Sequence, residues 1–270
     1  MWQRIRTAIV LVIIVGIAMF ASQTPILFAP LLTIGVIIAA HEWTKLMPKW
    51  RQPVLFVLLV LVLTVVSLIF KVTWLFWWIA SLVIWLMALS WVRVFPTHTN
   101  WYGKQRLAVM GAVILTASIT SMFYLWQLSA WWLLYVFLLV WCADSGAYFV
   151  GRKLGRRKMA PNVSPNKSME GLAGGLVTGL LVVIAISVFK LQLTGLSLLA
   201  FVALSALTIL ASVLGDLFES MLKRRAHVKD SGSILPGHGG ILDRIDSLLS
   251  ATPIFALGFW ALQQLGLIVV

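Results

Sequence analysis

The sequence predicts an all-α, polytopic integral membrane protein of about nine transmembrane helices, one membrane domain over residues 1–270, with a cytoplasmic N-terminus and its C-terminus on the opposite side. Three observations predict this. First, 61% of the 270 residues are hydrophobic and 11% charged, with a mean hydropathy of +1.00; a soluble domain carries about 25% charged residues, so too few polar side chains remain to cover one. Disorder is excluded even more firmly. Second, the apolar residues fall in long runs, and at about 20 residues per span this length holds roughly nine or ten. Third, 19 of the 21 Lys and Arg sort to one side when nine such runs alternate, which is the pattern of the positive-inside rule.

The first two runs, 8–22 and 26–40, are short and joined through Gln23, Thr24 and Pro25, which suits a tilted helical hairpin. Arg4 and Arg6 before an apolar stretch also fit a signal peptide, but direct continuation into a second run favours a retained helix. Lys45, Lys49 and Arg51 separate these from runs 54–70 and 74–92, between which lies Lys71. Arg93, Lys104 and Arg106 precede runs 107–126 and 131–150. Arg152, Lys153, Arg156, Arg157, Lys158 and Lys167 precede 172–189 and 196–218, with Lys190 between them. Lys223, Arg224, Arg225, Lys229 and Arg244 precede 248–268. A lost helix would invert every later loop, so a wrong count rarely gives so clean a split. Trp74, Trp77, Trp78, Trp91, Trp126, Trp131 and Trp132 crowd the ends of runs, where interfacial aromatic belts are expected, and the aromatic-rich early runs read as lipid-facing walls. The formal charge of +13 is thus first a consequence of topology, and nucleic acid is not needed as a partner. The single cysteine, Cys142, excludes an internal disulfide.

The acids follow another logic. Glu42, Asp144, Glu170, Asp216, Glu219, Asp230, Asp243 and Asp246 are the only eight, and seven lie in the second half. With nine spans all eight fall at the cytoplasmic side, which the positive-inside rule does not explain. Asp144, Asp216 and Glu219 interrupt apolar helical sequence, where a central carboxylate costs about 2.5–3.5 kcal/mol and is normally paired, hydrated or bound to a cation. A buried ion pair stapling helices accounts for any one of them more easily than for the set.

Two polar stretches carry the chemistry. In the later one, Asp216, Glu219, Ser220 and Lys223 share a face if the helix continues past Ser220, and Asp243 and Asp246 share one if a helix starts after Gly240. Paired carboxylates at that spacing suit a hard cation such as Mg2+, and the lack of Cys pairs and close His argues against zinc. Gly237, Gly239 and Gly240 around His238 would let backbone N–H groups approach a phosphate. In the earlier stretch, Arg152 to Lys158 read first as an orienting basic loop. Lys167, Ser168 and Glu170 stand just before an apolar helix, where free N–H groups and the positive dipole end favour an anion. Four Asp for metal and several Lys and Arg for phosphate at one membrane face describe phosphoryl or nucleotidyl transfer at a lipid–water interface.

The run from Ser220 through Lys223, Arg224, Lys229, Asp230, Pro236, His238, Gly239, Gly240, Asp243, Arg244 and Asp246 resembles the signature of the bacterial phosphatidate cytidylyltransferases, the CDP-diacylglycerol synthases, over 27 residues without a gap. Asp144-Ser145-Gly146-Ala147-Tyr148 and the stretch Ser164 to Gly171 also look like family motifs. The resemblance is dense from about Trp141 to Pro253, so residues 107–270 read as catalytic helices and loops; within 1–106 only hydropathy and Glu42-Trp43 suggest the family.

The resemblance implies reaction of CTP with phosphatidic acid to give CDP-diacylglycerol and pyrophosphate, by a Mg2+-dependent homodimer at the cytoplasmic face of the inner membrane. It implies metal binding by Asp216, Asp243 and Asp246, with Asp144 as a further candidate and room for a second cation. Lys167, Lys223, Arg224, Lys229 and Arg244 would neutralise the triphosphate or the lipid headgroup, and Ser168 with the Gly239-Gly240 turn would donate further hydrogen bonds. His238 bonds a phosphate or is a structural histidine in a tight turn; His41, His98 and His227 read as loop or interface residues, and Cys142 as packing. A CDP-alcohol phosphotransferase would also use clustered membrane aspartates, but its Asp-Gly start with an Ala-Arg pair is not found. A cation-coupled transporter would place its acids near the midplane of related halves, whereas these lie at one face and no repeat is visible.

Overall fold

In the computed structural model, which describes residues 2–97, 100–187 and 191–268, nine α-helices alternate in direction so that one end of the bundle gathers the acids. They are α1 (Trp2–Phe20), α2 (Phe28–Leu46), α3 (Pro53–Ile69), α4 (Trp74–Val94), α5 (Lys104–Leu128), α6 (Ala130–Leu154), α7 (Met169–Ile186), α8 (Gly195–Ala226) and α9 (Leu242–Gln264), with a 3-10 turn at Lys71–Thr73. Six stretches are long and apolar enough to cross a membrane: Lys71–Val94 and helices α5 to α9. The apolar parts of α1 and α3, Arg6–Phe20 and Pro53–Ile69, are shorter, and α2 carries His41, Glu42 and Lys45 in its last turns. His98 and Lys190 lie outside the described residues, as does the side chain of Arg4.

Specific contacts set the directions. The Phe28 ring stacks on Trp126 with centroids 5.1 Å apart, and at the other end Trp43 Nε1 donates to the Leu107 carbonyl at 3.0 Å, so α2 and α5 run antiparallel. Helices α5 and α9 run parallel through Ser118 Oγ to Leu249 O (2.9 Å), Ser121 Oγ to Thr252 Oγ1 (3.0 Å) and Tyr124 OH to Gln263 Oε1 (2.6 Å). In a membrane such hydroxyl bonds and small-residue contacts hold helices together, because lipid tails compete equally for apolar surface. Helices α6 and α7 approach closely: a Cβ on Gly146 would stand 2.1 Å from Thr178 Oγ1, and one on Gly175 2.8 Å from the Ala143 carbonyl. The buried residues form one core from Ala18 to Ile268. The outer faces of α1, α3 and α4 are apolar and exposed, as at Ile13, Val62 and Phe76, which suits acyl chains. At the acid end Tyr102 OH donates to the Leu46 carbonyl (3.0 Å) with the Arg225 guanidinium 5.4 Å from its ring; burial pushes this phenol up from its ordinary value and the cation pulls it partly back.

Three expectations are corrected. The chain is nearly rather than wholly all-α: Lys158–Ala160 (β1) and Ser164–Ser168 (β2) form an antiparallel hairpin in the basic loop. Helices outrun their apolar stretches, α8 to Ala226 and α9 from Leu242, because hydropathy marks the hydrocarbon boundary and not the end of the hydrogen-bond ladder. Most early tryptophans are core, not belt. Trp43 and Trp85 are 1% exposed, and Trp74, Trp78, Trp126 and Trp132 are also buried, whereas Trp131 is exposed. Phe218 of α8 collects Trp43, Trp85, Trp91 and Trp101 around it, at centroid distances of 5.5 to 6.4 Å for the last three.

Candidate active site

The site is built on the last turns of α8. Because that helix continues past Ser220, Asp216, Glu219, Ser220 and Lys223 do share one face. Lys167, at the end of β2, reaches across to it, with Nζ 2.6 Å from Asp216 Oδ2, while Ser220 Oγ donates to Asp216 Oδ1 at 3.3 Å. One turn on, Lys223 Nζ lies 2.5 Å from Glu219 Oε2 and 2.7 Å from Asp243 Oδ1, joining α8 to α9. Glu219 is 2% exposed, and among the described residues no donor makes a directed hydrogen bond to Oε1. Asp144, on α6, lies within electrostatic range of Lys167 and Asp216. Asp246, on α9, lies within range of Asp216, Glu219, Lys167 and Lys223. Its Oδ1 accepts from the Ser247 amide at 2.6 Å. The close seat of α9 on α8 at this level needs Gly215, since a Cβ there would stand 2.4 Å from Ser250 Oγ and 2.5 Å from the Asp246 carbonyl. Two lysines therefore thread a row of five carboxyls.

The hairpin that presents Lys167 is held from both sides. Ser168 is buried and caps α7, its Oγ accepting from the Gly171 amide at 3.1 Å, so it fixes the strand-to-helix junction next to Lys167. Glu170 Oε2 accepts the amides of Arg156 (2.9 Å) and Arg157 (3.1 Å), folding the basic loop back over the helix start. Arg224 Nε donates to the Val163 carbonyl in the hairpin turn at 3.3 Å.

The glycine loop closes the other flank. Asp243 Oδ2 accepts from the Ser231 amide (2.9 Å), Ser231 Oγ (2.9 Å) and the Gly240 amide (2.8 Å). The Gly240 N–H is thus directed at Asp243. Gly239 has φ +82°, where a side chain would be strained, and a Cβ there would approach Asp243 Oδ2 to 2.8 Å. His238 donates its amide to the Leu235 carbonyl at 2.9 Å, while its buried Nδ1 has no partner among the described residues.

Asp144, Lys167, Asp216, Lys223, Asp243 and Asp246 come together as the sequence suggests. Lys229 and Arg244 are exposed and form no ion pair among the described residues, so the structure does not bring them into the array. Sequence reasoning gave no site role to Glu219, Ser231 or Glu42. Spacing does set Glu219 on the face of Asp216 and Lys223, but it assigns that acid no part in metal or phosphate binding. Glu42 comes from α2, and its Oε2 accepts the Leu242 amide at 2.8 Å across 200 residues of sequence. Among the described residues no three His, Cys, Asp or Glu side chains already converge on one metal position. The donor chemistry still fits a hard cation: the acids in range of Lys167 offer oxygen only, and lysine ammonium groups now occupy Asp216 Oδ2 and Asp243 Oδ1.

The chain is similar to several curated phosphatidate cytidylyltransferases. A phosphatidate cytidylyltransferase of Haemophilus influenzae is 58% identical over 126 residues, which is 46% of this chain and 44% of that protein. One from Pseudomonas aeruginosa is 42% identical over 184 residues, 67% of this chain and 68% of that protein. One from Bacillus subtilis is 50% identical over 125 residues, 45% of each. The matched stretch thus spans less than half of the Haemophilus and Bacillus proteins. The model of the cytidylyltransferase family, by contrast, matches residues 2–262, from the start of α1 to within two residues of the end of α9, and the chain belongs to that family.

Proposed function

We propose that the protein is a phosphatidate cytidylyltransferase, transferring CMP from CTP to phosphatidic acid with release of pyrophosphate. The observation that carries this is the lysine-threaded row of carboxyls, Asp144 to Asp246, at one end of a membrane bundle in a chain of this family. A phosphate oxygen of phosphatidic acid attacks the α-phosphorus of CTP; the bond from that phosphorus to the β-phosphate oxygen breaks, and pyrophosphate leaves with the electron pair. A phosphate monoester is largely ionised near neutral pH, so no general base is required. The barrier is the approach of an anion to a polyanion, and cations lower it.

Lys167 and Lys223 are held in place by the acids they pair with, ready to exchange those partners for phosphate oxygens. Arg224, Lys229 and Arg244 steer the triphosphate or the lipid headgroup from the rim. Asp144, Asp216 and Asp246, with Asp243 through Oδ1, would hold Mg2+, singly or with a second cation. Bound there, Mg2+ would neutralise the triphosphate. Ser168 acts by fixing the junction beside Lys167, and its hydroxyl proton is available to an anion. The Gly239-Gly240 turn and His238 shape the opposite wall, where His238 Nδ1 could take up a phosphate contact.

The same proposal places nine spans in the inner membrane of a homodimer, with the acid end in the cytoplasm. Alternating helix direction and the sorted Lys and Arg support the orientation of the spans, whereas the homodimer rests on the family resemblance alone. Lys71 stands at the other end of the bundle, exposed, with Nζ 5.7 Å from the Trp74 ring centroid. Lys71→Gln is therefore expected to keep near-normal turnover, and a severe loss in folded enzyme would mean the topology is inverted or miscounted. Purified protein supplied with CTP, phosphatidic acid and Mg2+ should form CDP-diacylglycerol and pyrophosphate. Failure in a detergent that preserves the fold would remove the proposal.

A further inference from the structure

The proposed chemistry draws on the second half of the chain, yet a buried acid from the first half sits inside its loop. Glu42 is 2% exposed and has no Lys, Arg or His ion-pair partner among the described residues. Its contacts are neutral donors: the Leu242 amide at 2.8 Å and Ser231 Oγ at 3.5 Å, both to Oε2. Ser231 has one hydroxyl proton to give, and Asp243 Oδ2 is nearer at 2.9 Å, so the firm bond of Glu42 is the one to Leu242. The loop closes tightly over the carboxyl. A Cβ on Gly232 would lie 2.1 Å from Oε1, and one on Gly240 2.4 Å from Oε2.

The mount beneath Glu42 is fixed. Trp43 donates to the Leu107 carbonyl at 3.0 Å and fills the space above Gly111, where a Cβ would stand 2.3 Å from Nε1. Both contacts hold α2 in register with α5. Between them Glu42 and Asp243 take the amides of Ser231, Gly240 and Leu242, which are the two ends of the glycine loop and the first residue of α9.

We propose that Glu42 is a positioning residue that pins the glycine loop and the start of α9 to α2, and so sets where Asp243, Asp246 and Lys223 stand. It touches no reacting atom. For its kinetic consequence the proposal rests on the cytidylyltransferase reading above; for its structural consequence it does not. What the Leu242 amide needs is an acceptor oxygen at the right reach. Glu42→Gln keeps that oxygen and reach without the charge, whereas Glu42→Asp keeps the charge but draws the carboxyl back by one methylene.

A displacement of order 1 Å in a supporting group can cost about 100-fold in rate. With CTP, phosphatidic acid and Mg2+, we expect Glu42→Asp and Glu42→Ala to lose about 100-fold in kcat with little change in either KM, and Glu42→Gln to keep within about tenfold of wild type. Glu42→Asp more active than Glu42→Gln would mean that charge is the operative property, and equal activity would mean that reach is not; either result would overturn the proposal. So would full kcat per folded molecule in Glu42→Ala. Hydrogen–deuterium exchange supplies a readout independent of turnover. Amides of residues 230–242 should exchange faster in Glu42→Asp and keep wild-type protection in Glu42→Gln, with the centre of α5 unaffected in both. Unchanged loop protection in Glu42→Asp overturns the pinning. A wild-type protein that makes no CDP-diacylglycerol, beside a Glu42→Asp loop that loosens, would remove the reaction and leave the pinning standing.

Discussion

Asp246→Asn is expected to abolish most turnover while leaving insertion and folding intact. Asn has nearly the shape of Asp and still accepts from the Ser247 amide, which the Asp246 side chain bonds at 2.6 Å. The backbone at Asp246 packs on Gly215 and does not change. What is lost is a negative charge in a row that already includes Asp216 and Glu219. Removing one of several like charges relieves repulsion, so the melting temperature should be equal or higher. If that charge helps hold the cation that neutralises the triphosphate, the rate falls by about 100-fold or more, on the scale of losing one preorganised electrostatic contact. Higher Mg2+ should recover part of it, because a weakened site is refilled by mass action. Thermal stability in detergent, together with turnover titrated against Mg2+, checks both halves. A folded variant with full activity would remove Asp246 from the site.

The sequence made the architecture legible to the extent that hydropathy reports it. Among the described residues most of each apolar run lies on one helix, because a 15- to 23-residue apolar stretch in lipid satisfies its backbone polar groups most simply within one helix. What hydropathy does not carry is who faces whom. Trp85 and Trp131 look alike in a list of aromatics, yet one is packed against Phe218 and the other is exposed. The β1–β2 hairpin leaves no mark in the sequence because strands of three and five residues, Lys158-Met159-Ala160 and the Pro165-containing Ser164–Ser168, are too short to give an alternation to read. In the site, spacing foretold the shared face of Asp216, Ser220 and Lys223, since periodicity is local. It could not foretell that Lys167 pairs with Asp216, or that Glu42 reaches Leu242, since tertiary pairing leaves no trace in one sequence. The Gly240 amide shows the other limit. A glycine beside a histidine suggested a phosphate cradle, whereas three residues on, Asp243 already accepts that N–H.

Lys223→Met is expected to cost stability as well as activity, and the two losses can be separated. Lys223 is the one cation within 4.0 Å of both Glu219 and Asp243 among the described residues, and the side chains of those acids are 2% and 4% exposed. Removing one member of a buried ionic cluster leaves the others uncompensated, typically at about 3–5 kcal/mol. Met preserves most of the volume and apolar stem, so the deficit reports the charge and not a cavity. Asp243 would keep its three donors from Ser231 and Gly240, whereas Glu219 would keep none. The penalty should therefore fall mainly on Glu219, and the double variant Glu219→Gln/Lys223→Met should recover most of the lost thermal stability. It should not recover turnover, because the neutral pair offers the triphosphate no ammonium group. A double variant as unstable as the single one would place the penalty elsewhere. A Lys223→Met enzyme with wild-type stability and turnover would show that the lysine in the row is ornamental, and the electrostatic account of this site would fall with it.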